Sequence, residues 1–94
     1  MLTVYLIEDN DKLRPALKTG LEATGQVSVL AAVRSGEEAL ALCLQGAPVA
    51  LLMDVQLAGA MNGIEAAVAI RREYPRLPVV FYSIQDDAQY YRDF

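Results

Sequence analysis

Hydrophobic positions change their spacing several times along the chain, and each change marks an element. Leu2–Ile7 is a continuous apolar run with β-branched and aromatic residues, stopped by Glu8-Asp9-Asn10-Asp11. Such a run reads as a strand buried on both faces. From Lys12 to Thr24 the spacing becomes helical. Leu13, Leu17 and Leu21 form a stripe, with Lys12, Arg14, Lys18 and Glu22 on other faces. This predicts an amphipathic helix, capped by Asn10 or Asp11 and closed by Gly25. Pro15 lies at or just past the first turn, where it costs at most about one helix hydrogen bond.

Val27–Val33 is a second β-rich run. Ser35-Gly36-Glu37-Glu38 then has the form of a capping box, and Ala39–Gln45 continues as helix until Gly46 and Pro48 stop it. Val49–Met53 predicts a third strand that stops at Asp54, and Gln56–Met61 a glycine-containing loop. Asn62 followed by Glu65 starts another helix, on which Ile64, Ala67, Val68 and Arg71 share a face and which ends before Pro75. Pro78 opens a fourth strand, Val79–Ile84, a position that proline tolerates. Gln85-Asp86-Asp87 reads as a turn and Ala88–Phe94 as the start of a helix. Regular alternation of apolar strands and helices implies an α/β doubly wound parallel sheet with right-handed crossovers. No linker, repeat or low-complexity stretch divides residues 1–94, so one domain is expected.

Composition narrows the function. The chain has 94 residues, of which 54% are hydrophobic and 21% charged, as in a soluble globular domain. Eight Lys and Arg against twelve Asp and Glu leave a net charge of -4. That balance gives no drive toward nucleic acid or an anionic membrane. No histidine is present, which removes the usual acid–base group near neutrality and any His-based metal site. The single cysteine, Cys43, lies in an apolar run and is expected as a buried thiol in a reducing compartment. The N-terminus lacks the charged region of a signal peptide, and no apolar run approaches the roughly 20 residues of a membrane span. A cytoplasmic chain is the expectation.

Acidic residues fall where the chemistry of such a sheet takes place, beyond the carboxyl ends of the strands. Glu8 and Asp9 end strand one, Asp54 ends strand three, and Ser83 lies near the end of strand four. If strands one and three are neighbours, three carboxylates converge. Their mutual repulsion raises their pKa values unless a cation joins them, and hard oxygen ligands with room for waters and a phosphate suit Mg²⁺. No basic residue is expected beside the cluster.

At these positions the chain resembles the receiver domain of bacterial two-component response regulators. The resemblance runs the length of the chain. It rests on Leu6-Ile7-Glu8-Asp9-Asn10, Leu51-Leu52-Met53-Asp54-Val55-Gln56-Leu57-Ala58-Gly59, Asn62-Gly63-Ile64-Glu65-Ala66 and Pro78-Val79-Val80-Phe81-Tyr82-Ser83. It implies a flavodoxin-like sheet of order 2-1-3-4. Asp54 would be the phosphoacceptor, taking its phosphoryl group from a phosphohistidine on a sensor histidine kinase. Asp9 and Asp54 would bind Mg²⁺ directly with the backbone carbonyl of Gln56, and Glu8 through water. Ser83 would hydrogen-bond the new phosphoryl group and act as the switch hydroxyl.

The chain departs from the family pattern in several places. Its acidic pair is Glu-Asp rather than Asp-Asp, Ala58 stands where proline is frequent, and Ile84 follows the hydroxyl residue in place of a small one. The loop before Asn62-Gly63 is one residue longer than the shortest family version. The family's fifth strand, which ends in lysine, and its fifth helix are not among these 94 residues. Lys12 and Lys18 do not match that lysine. Strand four then stands as an uncharged apolar edge, so self-association or a further C-terminal segment or output domain is expected. Tyr90–Phe94 resembles the fourth helix of receivers joined to helix-turn-helix domains. A haloacid-dehalogenase-like phosphohydrolase would need a second acid two residues after Asp54, where Gln56 stands. Neither G-x-G-x-x-G nor a P-loop occurs. The remaining rival is a receiver-like interaction module that works without phosphorylation.

Overall fold

The computed structural model describes residues 2–46, 48–57 and 61–82. They form β1 (Leu2–Ile7), α1 (Leu13–Ala23), β2 (Val27–Val33), α2 (Gly36–Gln45), β3 (Ala50–Asp54), α3 (Gly63–Glu73) and β4 (Val79–Tyr82). The strands make one parallel sheet in the order β2-β1-β3-β4, the doubly wound arrangement expected. Reversal of strand order at β1 and β3 creates the switch point at which such sheets bind ligands. Ile7 pairs with Met53, and Asp54 with Tyr82, so the last residues of three strands come level. Between Val4 and Tyr5 the pairing with β2 slips by one residue.

Each face of the sheet has its own core. On one, Ile7, Leu51 and Met53 pack with Ala39 and Cys43 of α2 and with Ala66 and Ile70 of α3. On the other, Val4, Leu6, Val29 and Ala50 meet Leu17 and Leu21 of α1. Leu17 and Leu21 of the predicted stripe therefore pack as their spacing requires. Cys43 is a buried free thiol, as expected.

Helix starts show how local signals are used. Asn10 Oδ1 accepts from the amides of Lys12 and Leu13, both at 2.9 Å, which serves the start of α1 from two residues outside its Lys12 cap. Gly25, at φ 74°, follows α1 and donates to Glu22 O at 3.1 Å. Ser35 Oγ accepts from Glu38 N at 3.2 Å, but the Glu38 carboxylate accepts from Arg34 N rather than from the cap residue, so this box closes on one side only. At α3 both halves close: Asn62 Oδ1 accepts from Glu65 N, and Glu65 Oε1 from Asn62 N.

The buried side of α3 is Gly63, Ala66, Ala67 and Ile70. The face shared by Ile64, Ala67, Val68 and Arg71 is largely outside the core, since Ile64 and Val68 are 55% and 51% exposed. These residues line a hollow with Val79 and Phe81 of β4. The third strand starts at Ala50, one residue later than the apolar run suggests, and Val49 N bonds Thr3 O outside the ladder. Ser83 and Ile84 of the expected fourth strand, and the expected turn and helix over 85–94, lie outside the described residues, as do Ala58, Gly59 and Ala60 of the loop. Among the described residues no helix is long and apolar enough to cross a membrane.

Candidate functional site

Polar side chains collect where β1 and β3 end side by side. A carboxylate oxygen from each of Glu8, Asp9 and Asp54 lies within 4.8 Å of the others. The adjacency of β1 and β3 thus brings together the three acids that the sequence places at separate strand ends. Glu8 and Asp54 are 2% and 7% exposed. Carboxylates are almost never this buried without partners.

Each buried acid has identifiable partners. Glu8 Oε2 accepts from the amide of Asn10 at 3.0 Å, and Glu8 Oε1 from the hydroxyl of Tyr82 at 3.0 Å. Asp54 Oδ1 accepts from the amide of Gln56 at 3.0 Å. Burial, above all, holds the Glu8 carboxyl above its usual range, and the charge of Asp54 adds to that push; the two donors act against it. Asp54 is raised in the same way, first by burial and then by the charge of Asp9, with the Gln56 amide opposing. Repulsion within the cluster, the cause expected from sequence, is therefore secondary to desolvation.

The backbone near Asp54 is closely covered. Gly63 N donates to Val55 O at 3.3 Å, and a Cβ at residue 63 would collide with the carbonyl oxygen of Asp54. Only glycine lets the start of α3 lie against the end of β3. This is the physical role of Asn62-Gly63: the capping box fixes where α3 starts, and the glycine allows that start to touch the Asp54 backbone.

A basic residue does stand beside the acids, contrary to expectation. Arg14 Nη1 donates to Glu8 O at 3.0 Å and Nη2 to Asp11 Oδ1 at 2.8 Å. These bonds go to a carbonyl and to exposed Asp11, whose carboxyl the Arg14 bond holds below its usual range. Tyr82 is the other residue that sequence reading passes over. Its signal is a phenol at the end of an otherwise apolar strand, next to Ser83 in sequence. Burial and the facing Glu8 carboxylate hold this phenol well above its usual pKa, so it stays a donor. The Gln56 amide serves the Asp54 carboxylate. Ser83 lies outside the described residues.

The donor set suits a hard divalent cation: oxygen ligands only, two of them on buried carboxyl groups. Bringing a cation to this point would offset the cost of burying like charges together.

Comparison with known proteins agrees with this geometry. Residues 4–94 match the response regulator receiver domain family. The chain is 36% identical over 92 residues to the transcriptional regulatory protein LiaR of Bacillus subtilis, covering 96% of this chain and 43% of that protein. It is 36% identical over 87 residues to the transcriptional regulatory protein AfsQ1 of Streptomyces coelicolor, covering 93% of this chain and 37% of that one. Among solved structures it resembles the signal receiver domain of a modulated diguanylate cyclase from Desulfovibrio desulfuricans G20. The TM-score is 0.80 at 28% identity, over 99% of this chain and 73% of that one. The chain spans less than half the length of the two regulators it matches. With the sheet order, the paired strand ends and the matched residues in agreement, the chain belongs to the response regulator receiver domain family.

Proposed function

We propose that this chain is a phosphoacceptor receiver of a two-component signalling system, with Asp54 as the acceptor. One observation carries the reading: Asp54 ends β3 beside the Glu8-Asp9 pair, buried and against the Gly63 backbone. The chain's own residues suit a divalent cation, and Asp9, Asp54 and the carbonyl of Gln56 would hold Mg²⁺, with Glu8 acting through water. Bound there, Mg²⁺ supplies neutralisation of the charge that develops on the transferring phosphoryl group.

The remaining work falls to the protein. An Asp54 carboxylate oxygen forms a bond to the phosphorus of a kinase phosphohistidine. The phosphorus–nitrogen bond breaks and its electron pair stays with the imidazole. The Gln56 amide on Oδ1 fixes the rotamer of the nucleophile. Positioning of this kind dominates phosphoryl transfer, because its loose transition state gives the protein little covalent chemistry to do. Ser83 follows Tyr82 directly, and its hydroxyl would bond the new phosphoryl group as a switch. The outcome is a modified protein rather than repeated turnover of a substrate.

Resemblance to two transcriptional regulators supports a place as the receiving part of such a protein, with an output domain making any DNA contact. A cytoplasmic setting follows from a kinase partner of this kind. In a chain carried on through the family's lysine-bearing fifth strand, incubation with a small phosphodonor and Mg²⁺ should add a single hydroxylamine-sensitive phosphoryl group, located at Asp54 by mass spectrometry. Equal labelling of Asp54→Ala would overturn Asp54 as the acceptor, and an unlabelled wild type would favour an interaction module that works without phosphorylation.

A further inference from the structure

We propose that Tyr82 is a positioning residue of the acidic site, holding the Glu8 carboxylate in place from β4. The inference rests on the metal reading above and goes beyond it, since it assigns the orientation of Glu8 to a side chain on a different strand.

The geometry is direct. Tyr82 Oη donates to Glu8 Oε1 at 3.0 Å and lies 3.2 Å from Ile7 O, the carbonyl just before Glu8. Asn10 N takes the other carboxylate oxygen. Glu8 is thus gripped at both oxygens, once from its own loop and once from a residue 74 positions away. Tyr82 is itself fixed at both ends. Its backbone pairs with Asp54, and its carbonyl accepts from Val55 N at 3.0 Å. Its ring shares a hollow of about 260 Å³ with Leu6, Leu17, Leu21, Leu52 and Val80.

Packing alone does not call for a phenol here, because the hollow is apolar and an aliphatic or phenyl side chain would sit in it equally well. The hydroxyl matters for what it reaches. A carboxylate that acts through water has to keep its orientation while two other acids repel it. Outer hydrogen bonds that orient a metal-site group commonly change metal affinity by about 10- to 100-fold. Tyr82 supplies such a bond. It also ties the end of β4 to the end of β1 across β3.

Mg²⁺ titration followed by NMR tests this on four chains: wild type, Tyr82→Phe, Glu8→Gln and the double variant. Tyr82→Phe should weaken Mg²⁺ binding roughly tenfold, the low end for such partners. In the Glu8→Gln background the same substitution should change affinity by less than about twofold, because independent sites add and coupled ones do not. In the wild type, the Tyr82 ring signals should shift with the same midpoint as those of Glu8. Unchanged affinity in Tyr82→Phe overturns the assignment, as does an equal loss in both backgrounds, which would mean that Tyr82 acts by some other route. A silent Tyr82 ring during a Glu8 response overturns it without any variant. Absence of shifts at residues 8, 9 and 54 in the wild type removes the metal reading itself, and is seen before any variant is made.

Discussion

At the amino end of the sheet, Tyr5 Oη donates to Gly46 O at 2.7 Å and Tyr74 Oη donates to Cys43 O at 2.6 Å; at the carboxyl end, Tyr82 Oη donates to Glu8 Oε1 at 3.0 Å. The residue type is the same and so is the donor. What differs is the acceptor. The acceptors at the end of α2 are neutral carbonyls, that of Gly46 exposed and that of Cys43 part-buried, and the two tyrosines latch that helix to β1 and α3. A buried carboxylate within an acidic cluster is a different acceptor, one that has no structural reason to be there. The amino end also holds a hollow of about 440 Å³ lined by Pro48, Val49, Tyr74, Pro75, Leu77 and Pro78 among others, larger than the apolar hollow beneath Tyr82. Volume therefore does not locate the chemistry in this molecule. Buried carboxyl groups do, because gathering three of them costs desolvation and mutual repulsion that a few hydrogen bonds only partly offset.

The largest effect that separates the two ends is on phosphoryl transfer. Asp54→Asn should abolish labelling by a small phosphodonor, while Tyr74→Phe should label as the wild type does; intact-mass spectrometry reads both. Loss of labelling in Tyr74→Phe at a temperature where it is folded would break the division.

Glycine substitutions come next. Gly63→Ala places a methyl group on the Asp54 carbonyl and should cost about 1–3 kcal/mol, the usual range for overpacking. Gly46→Ala, at the amino end, meets nothing within 4 Å and has an extended φ of 163°, so it should be close to neutral. Urea denaturation of the two variants, compared at equal m-value, checks the contrast.

A smaller effect is expected at Tyr74 itself. Tyr74→Phe removes the shorter of two hydrogen bonds to the part-buried Cys43 carbonyl, which keeps the Gly46 amide at 3.2 Å, and should lower stability by about 0.5–1 kcal/mol. Its Mg²⁺ titration should be unchanged. A matching drop in Mg²⁺ affinity would show that the ends are coupled.

The finest test is a slope. Glu8 and Asp54 are both raised in the folded chain, so the folded state holds their protons more tightly than the unfolded one. Their favourable contribution is fully present below the ordinary carboxylate pKa. It is lost as pH rises through the folded values. With metal chelated, stability of the wild type should thus fall across that window relative to Asp54→Asn. A difference that grows in the opposite direction would mean that the acids are held as stabilised anions.

Much of this was legible in the residues. Runs such as Leu2–Ile7 and Leu51–Met53 end in carboxylates, and termination of an apolar strand by an acid is a local event that needs no knowledge of neighbours. Leu17 and Leu21 of the helical stripe pack against the sheet for the same reason. Capping motifs were harder. Ser35-Gly36-Glu37-Glu38 and Asn62-Gly63-Ile64-Glu65 have the same spacing, yet only the second closes on both sides, because Glu38 finds the amide of Arg34 instead. The exposed face of α3 was also invisible to spacing, since Ile64 and Val68 are as apolar as the residues that are buried.

Sequence alone determined the order of elements and the chemical nature of the strand ends, since both depend on residues next to one another in the chain. It also left three acids on two strands whose adjacency periodicity cannot decide; the family resemblance supplied that order. Tertiary structure decided what those acids meet. Pairing of β1 with β3 brings Glu8 and Asp9 to Asp54, the start of α3 covers the Asp54 backbone through Gly63, and β4 delivers Tyr82 to Glu8. These contacts join residues far apart in the chain. Their energies come from desolvation and hydrogen bonding in the assembled sheet, and no short stretch of residues contains that information.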